Sequence, residues 1–131
     1  MILFLRAFAL FNLFNGLTML ILPEVWYLRT PGASETGTYN GHFIRDSGIA
    51  FSAAAVALLV GTTRPSAGRL RSAWFAMAFI GGHGLLHLVE LVTIQPPHPV
   101  LSRDLLLIVL PAIIATLCLS KISITDPLGP P

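Results

Sequence analysis

The chain has 131 residues, 54% hydrophobic and 11% charged, with a formal net charge of +2 and a mean hydropathy of +0.77. Soluble domains carry about a quarter charged residues, so this composition argues against a water-soluble globule and for lipid as the solvent. The few basic residues form no run with interleaved aromatics, which leaves nucleic-acid binding without support, and the single cysteine, Cys118, excludes an internal disulfide.

Four apolar stretches stand out, near residues 2–22, 43–62, 70–94 and 103–120. Each has roughly the 17–25 residues that cross a hydrocarbon core about 30 Å thick. The connections are short. The expected fold is therefore all-α, an integral membrane four-helix bundle occupying residues 1–122 as one domain, with 123–131 a short disordered tail.

The first stretch is followed by Leu22-Pro23-Glu24 rather than a small-residue cleavage site, so it reads as a retained span and not a signal peptide. Asn12 and Asn15 lie three apart on it, placed either to bond to neighbouring helices or to line a polar passage. In the loop from Trp26 to Asn40, Trp26-Tyr27 suits an interfacial anchor, while Pro31-Gly32 and Glu35-Thr36-Gly37 read as turns. Asn40 is placed to cap the second span, which opens with His42 and Asp46, four apart. Arg64, Arg69 and Arg71 separate the second and third spans. The third contains His83-Gly84-Leu85-Leu86-His87-Leu88-Val89-Glu90, and Gln95-Pro96-Pro97-His98-Pro99 then makes a stiff turn. Arg103 and Asp104 open the fourth span, within which Cys118 reads as a small buried hydrophobe.

Positive charge sets topology. Arg6, Arg64, Arg69, Arg71 and Lys121 on one side, against Arg29, Arg45 and Arg103 on the other, favour a cytoplasmic location for both termini. The start of the second span and the end of the third then meet at the outer face of a bacterial-type plasma membrane. The antiparallel pairing brings their ionisable residues to one end of the bundle whichever way the protein is inserted.

Spacings of four and three put His83, His87 and Glu90 on one helical face. Ionisable side chains within a span are expensive and mark a site by default. Gly81, Gly82 and Gly84 around His83, with Gly41 and Gly48 around the His42/Asp46 turn, would let the two helices approach closely. His42, Asp46, His83, His87 and Glu90 are the expected ligands of a divalent transition metal such as zinc, iron, manganese or copper. Asn40, Arg45 and Asn15 are candidates for further cofactor contacts. The zincin pattern H-E-x-x-H is absent, because Gly84 stands in place of the glutamate. Di-iron bundles need Glu-x-x-His, whereas this chain has the reverse, His87-x-x-Glu90. The competing reading is a structural network in which Arg45 and Arg103 neutralise Asp46, Glu90 and Asp104, as in a non-catalytic subunit of a larger membrane complex. Haem ligation and quinone binding are narrower alternatives.

The segment Thr36-Gly37-Thr38-Tyr39-Asn40-Gly41-His42-Phe43-Ile44-Arg45-Asp46-Ser47-Gly48 resembles small bacterial four-span proteins carrying T-G-x-x-N-x-H-F-x-R-D-x-G. In overall layout the chain is similar to DoxX-like membrane proteins over nearly its full length. That resemblance implies a four-helix bundle; some DoxX-like members are linked to quinone-coupled oxidoreductases, but no catalytic residue set carries over. Beyond the lipid bilayer, the expected partners are a second copy of the chain or a larger membrane complex. Whether any reaction is catalysed is left open.

Overall fold

In the computed structural model, residues 1–35, 37–63, 67–94 and 98–125 are described. Their regular structure is all helical, with no strand among them: α1 (Ile2–Ile21), α2 (Pro23–Arg29), α3 (Gly41–Thr63), α4 (Ala67–Thr93), α5 (His98–Asp104) and α6 (Leu110–Thr125). A single π-helical turn, Leu105–Val109, joins α5 to α6, so that 100–122 forms one continuous apolar rod. Among the described residues, four helices are long and apolar enough to cross a membrane: Ile2–Ile21, Gly41–Thr63, Gly68–Thr93 and Val100–Ile122. The protein is a multi-pass, all-α membrane bundle.

The spans pack in chain order, α1 on α3, α3 on α4 and α4 on α6, and α6 returns to α1. Glycine decides the closest contact. A Cβ at Gly16 would stand 2.8 Å from the Gly48 carbonyl, and one at Gly48 would stand 2.8 Å from the Gly16 carbonyl. No side chain fits there, so the backbones of α1 and α3 touch, and dispersion replaces the hydrophobic drive that lipid does not supply. Of the other glycines expected to permit approach, Gly84 does so against Ala112, where a Cβ would meet Cβ at 2.7 Å, whereas Gly82 faces open space.

The larger apolar core lies toward the Arg6 end and joins Leu5, Phe8, Leu58, Leu70, Ile80, Ala115 and Leu119 from all four spans. At that end Arg6 donates to the Thr62 carbonyl at 2.8 Å, satisfying an orphan acceptor at the α3 C-terminus. A smaller cluster of Met19, Ile44 and Phe51, with Trp26 and Tyr27 against it, lies toward the other end.

Three elements depart from the sequence expectations. Trp26-Tyr27 does not begin a loop, because α2 intervenes, started by Pro23 at a first-turn position where the missing N–H costs nothing. The fourth span begins before Arg103, since α5 runs on through the π turn. Pro111 explains that turn: its ring would clash with the carbonyl four residues back, and the wider turn, in which the Leu110 N–H donates to the Leu105 carbonyl, relieves the crowding. At the C-terminus α6 carries helix through 123–125, which the sequence reading assigns to the tail. The expected features at Thr36, at Arg64 and the rest of 64–66, at 95–97 and in the tail over 126–131 lie outside the described residues, as does the side chain of His98.

Candidate functional site

On α4 the buried positions Ala73, Ala76, Met77 and Ile80 turn toward α3 and α6, and the same helical face carries His83 and His87 one and two turns further on. Their rings stand edge to face, 4.6 Å between centroids. The His83 ring also meets Phe51 of α3 edge to face at 5.1 Å, and Phe51 in turn meets Phe79 at 5.0 Å. His83 is thus held by aromatic edges from two helices.

His87 faces α5. Its Nδ1 is 3.1 Å from Asp104 Oδ2, and the other carboxylate oxygen, Oδ1, accepts from Arg103 Nε at 2.6 Å. A carboxylate engaged by a guanidinium has only acceptors to offer, so the imidazole supplies the second proton and Nδ1 is the donor. Asp104 is 8% exposed and its partners about a fifth exposed, so these are part-buried, charge-assisted bonds. Arg103 continues outward, with Nη1 3.6 Å from Glu35 Oε2 in the segment between α2 and α3. Gly32 makes room for it. Its φ is +84°, and a Cβ there would run into the Arg103 guanidinium. A polar chain therefore leads from His83 through His87, Asp104 and Arg103 to the exposed Glu35. Glu90, one turn beyond His87, stands at its edge with Oε2 4.0 Å from His87 Nδ1.

His42 and Asp46 do not join this chain. They pair with each other at 3.3 Å, with side chains 90% and 57% exposed, and neither hydrogen-bonds nor ion-pairs with the α4 histidines. The reason is helical phase. Ile44, Gly48 and Phe51 face α1 and α4, and two residues of offset, about 200° of rotation, turn His42 and Asp46 away from that face. The expected convergence of five ligands thus separates into two places. Among the described residues, no group of three or more His, Cys, Asp or Glu side chains is arranged to hold a metal ion.

The candidate cofactor residues have partners of their own. Asn40 Oδ1 accepts from the Phe43 N–H at 3.1 Å, the capping expected of it. Arg45 does not neutralise Asp46 but donates to the Gly41 carbonyl at 3.4 Å. Asn15 accepts from Trp26 Nε1 at 2.8 Å, tying α1 to α2 and occupying the indole expected at the membrane interface. Asn12 makes a bond within its own helix, to the Phe8 carbonyl at 2.8 Å.

Asp104 is the central residue that the expected ligand set lacks. The sequence carries a signal for it, since Arg103-Asp104 lies near the start of the fourth apolar stretch, at the depth expected of His87 and Glu90, where the network alternative uses it as a counter-charge. Phe51 and Glu35 carried no comparable signal. No family model matches the chain, no curated protein matches it, and no solved structure does.

Proposed function

We propose that this multi-pass membrane protein carries a transition-metal site at one end of its bundle, with His83 and His87 as ligands and Asp104 as the carboxylate that holds His87. The observation that carries this reading is the 3.1 Å contact between His87 Nδ1 and Asp104. Metal-ligating histidines almost always give their second ring N–H to a carboxylate or carbonyl, which fixes the tautomer and makes the remaining nitrogen more basic. His87 has that arrangement, and the His83 ring lies beside it. Arg103 keeps the carboxylate in place, and Glu35 keeps Arg103 in place. A bound ion would supply Lewis-acid or one-electron chemistry at the membrane boundary, with water or Glu90 completing its coordination. We place both termini in the cytoplasm, on the charge bias, so that the site lies near the outer face of a plasma membrane.

Metal content of the full chain, purified after metal-supplemented growth, tests the proposal. His83→Ala and His87→Ala should each abolish metal at this site while leaving helicity intact, because each removes one of few ligands. Asp104→Asn should weaken affinity about 10–100-fold, as loss of an outer carboxylate does elsewhere. A wild type without metal refutes the reading.

One observation favours a second reading, that of a scaffold subunit. Both Asp104 oxygens are engaged within the chain and Arg103 reaches Glu35, so the network is complete without a ligand. A scaffold predicts metal-free protein, and Arg103→Gln as damaging to stability as His87→Ala.

A further inference from the structure

The His42–Asp46 pair stands apart from the site just described, on the outward face of α3, and that face differs from the other outward faces. Continuing from His42 and Asp46 at alternating spacings of four and three, it runs Ile49, Ala53, Val56 and Val60, all exposed. Steps of four and three recur every seven residues, the heptad alternation that keeps one seam facing a partner helix. The stripe extends about 27 Å, nearly the full hydrocarbon thickness. Large side chains turn outward elsewhere, among them Phe11 and Phe14 on α1, Phe43 beside the stripe on α3, Phe75 on α4 and Leu106 on the π turn. The α3 seam is β-branched or small along its apolar part, with the polar pair at one end.

The polar end has the geometry of half a metal site. His42 Nε2 and Asp46 Oδ2 are 3.3 Å apart, longer than a good N–H···O bond. Two ligands bound about 2.0–2.1 Å from a tetrahedral ion stand about 3.3–3.4 Å from each other. One imidazole and one carboxylate leave two tetrahedral positions open, and among the described residues no other His, Cys, Asp or Glu of the same chain is arranged to fill them.

We infer that this half-site is completed by a second copy of the chain, the two α3 helices packing along the stripe with His42 and Asp46 of each copy around one divalent transition metal. Copies inserted with the same topology are related by a two-fold axis along the membrane normal, which sets each stripe position opposite itself. Asp46 then meets the partner's Asp46, and two carboxylates at close range repel. A divalent cation cancels both charges and takes two imidazoles in addition, giving four N/O ligands. The same charge logic makes association conditional on the ion.

The test uses the full chain, labelled at the N-terminus with donor or acceptor dye and co-reconstituted in phosphatidylcholine vesicles. With excess zinc, energy transfer between copies should appear, with one zinc per two chains retained by this site, and EDTA should abolish it. His42→Ala and Asp46→Ala should each raise the zinc needed for association at least tenfold. Both residues are exposed, so folding is not at stake. His83→Ala should associate as the wild type does, which separates this proposal from the one at His83 and His87. Absence of zinc-dependent transfer in the wild type overturns the inference, and so does transfer that persists in EDTA or is indifferent to the two substitutions.

Discussion

Replacing Asp104 by alanine removes the acceptor that two donors share. In membrane proteins an average side-chain hydrogen bond contributes about 0.6 kcal/mol and the best about 1.7 kcal/mol. The Asp104 bonds belong at the upper end, because they are charge-assisted, 2.6 Å and 3.1 Å long, and converge on a carboxylate only 8% exposed. At about 1.5 kcal/mol each, the loss is about 3 kcal/mol, or roughly a hundredfold in the folding equilibrium. Retention of Glu35 by Arg103 offsets part of it, at an exposed contact that contributes little. Asp104→Asn keeps one acceptor oxygen but turns an NH2 toward the other donor, so it should lose about half as much. Titration with SDS in mixed micelles, followed by far-ultraviolet circular dichroism, reads these values. His87→Ala combined with Asp104→Ala should cost less than the two single losses summed, by about 1 kcal/mol or more, because the shared bond is broken only once. A single loss below about 0.6 kcal/mol, or strict additivity in the double variant, would refute the network.

The same titration distinguishes the glycines: Gly48→Leu should destabilise by about 1–3 kcal/mol or more, since its Cβ would stand 2.8 Å from the Gly16 carbonyl, whereas Gly82→Leu, which meets nothing within 4 Å, should change little. In a Cys118→Ala background, Ser34→Cys should react with an impermeant maleimide in intact cells, and reaction only after the membrane is opened would invert the topology. The metal contents expected of His83→Ala and His87→Ala, and the zinc-dependent association through α3, stand on separate residues and can fail separately.

The four spans could be read from the chain because lipid imposes a demand that composition alone answers: about twenty apolar residues, helical because no water is present to satisfy the backbone. The apolar stretches near 2–22, 43–62, 70–94 and 103–120 correspond to spans at Ile2–Ile21, Gly41–Thr63, Gly68–Thr93 and Val100–Ile122. The His83/His87 pairing was equally legible, since both residues lie on one helix and the 3.6-residue turn places them together without reference to any other element. Short helices were not legible in the same way: α2 and α5 have seven residues each, too few for periodicity to distinguish them from loop. What tertiary structure alone decided was which way each helix faces. Rotation about the α3 axis follows from the backbone contact at Gly16 and Gly48, and that contact turns His42 and Asp46 outward while Phe51 meets His83. Likewise, tertiary packing brings His87 to Asp104, seventeen positions away, and the Gly32 backbone leaves room for Arg103 beside them. Sequence spacing constrains neighbours on one helix, but contacts between helices depend on rotation and packing that no local pattern encodes.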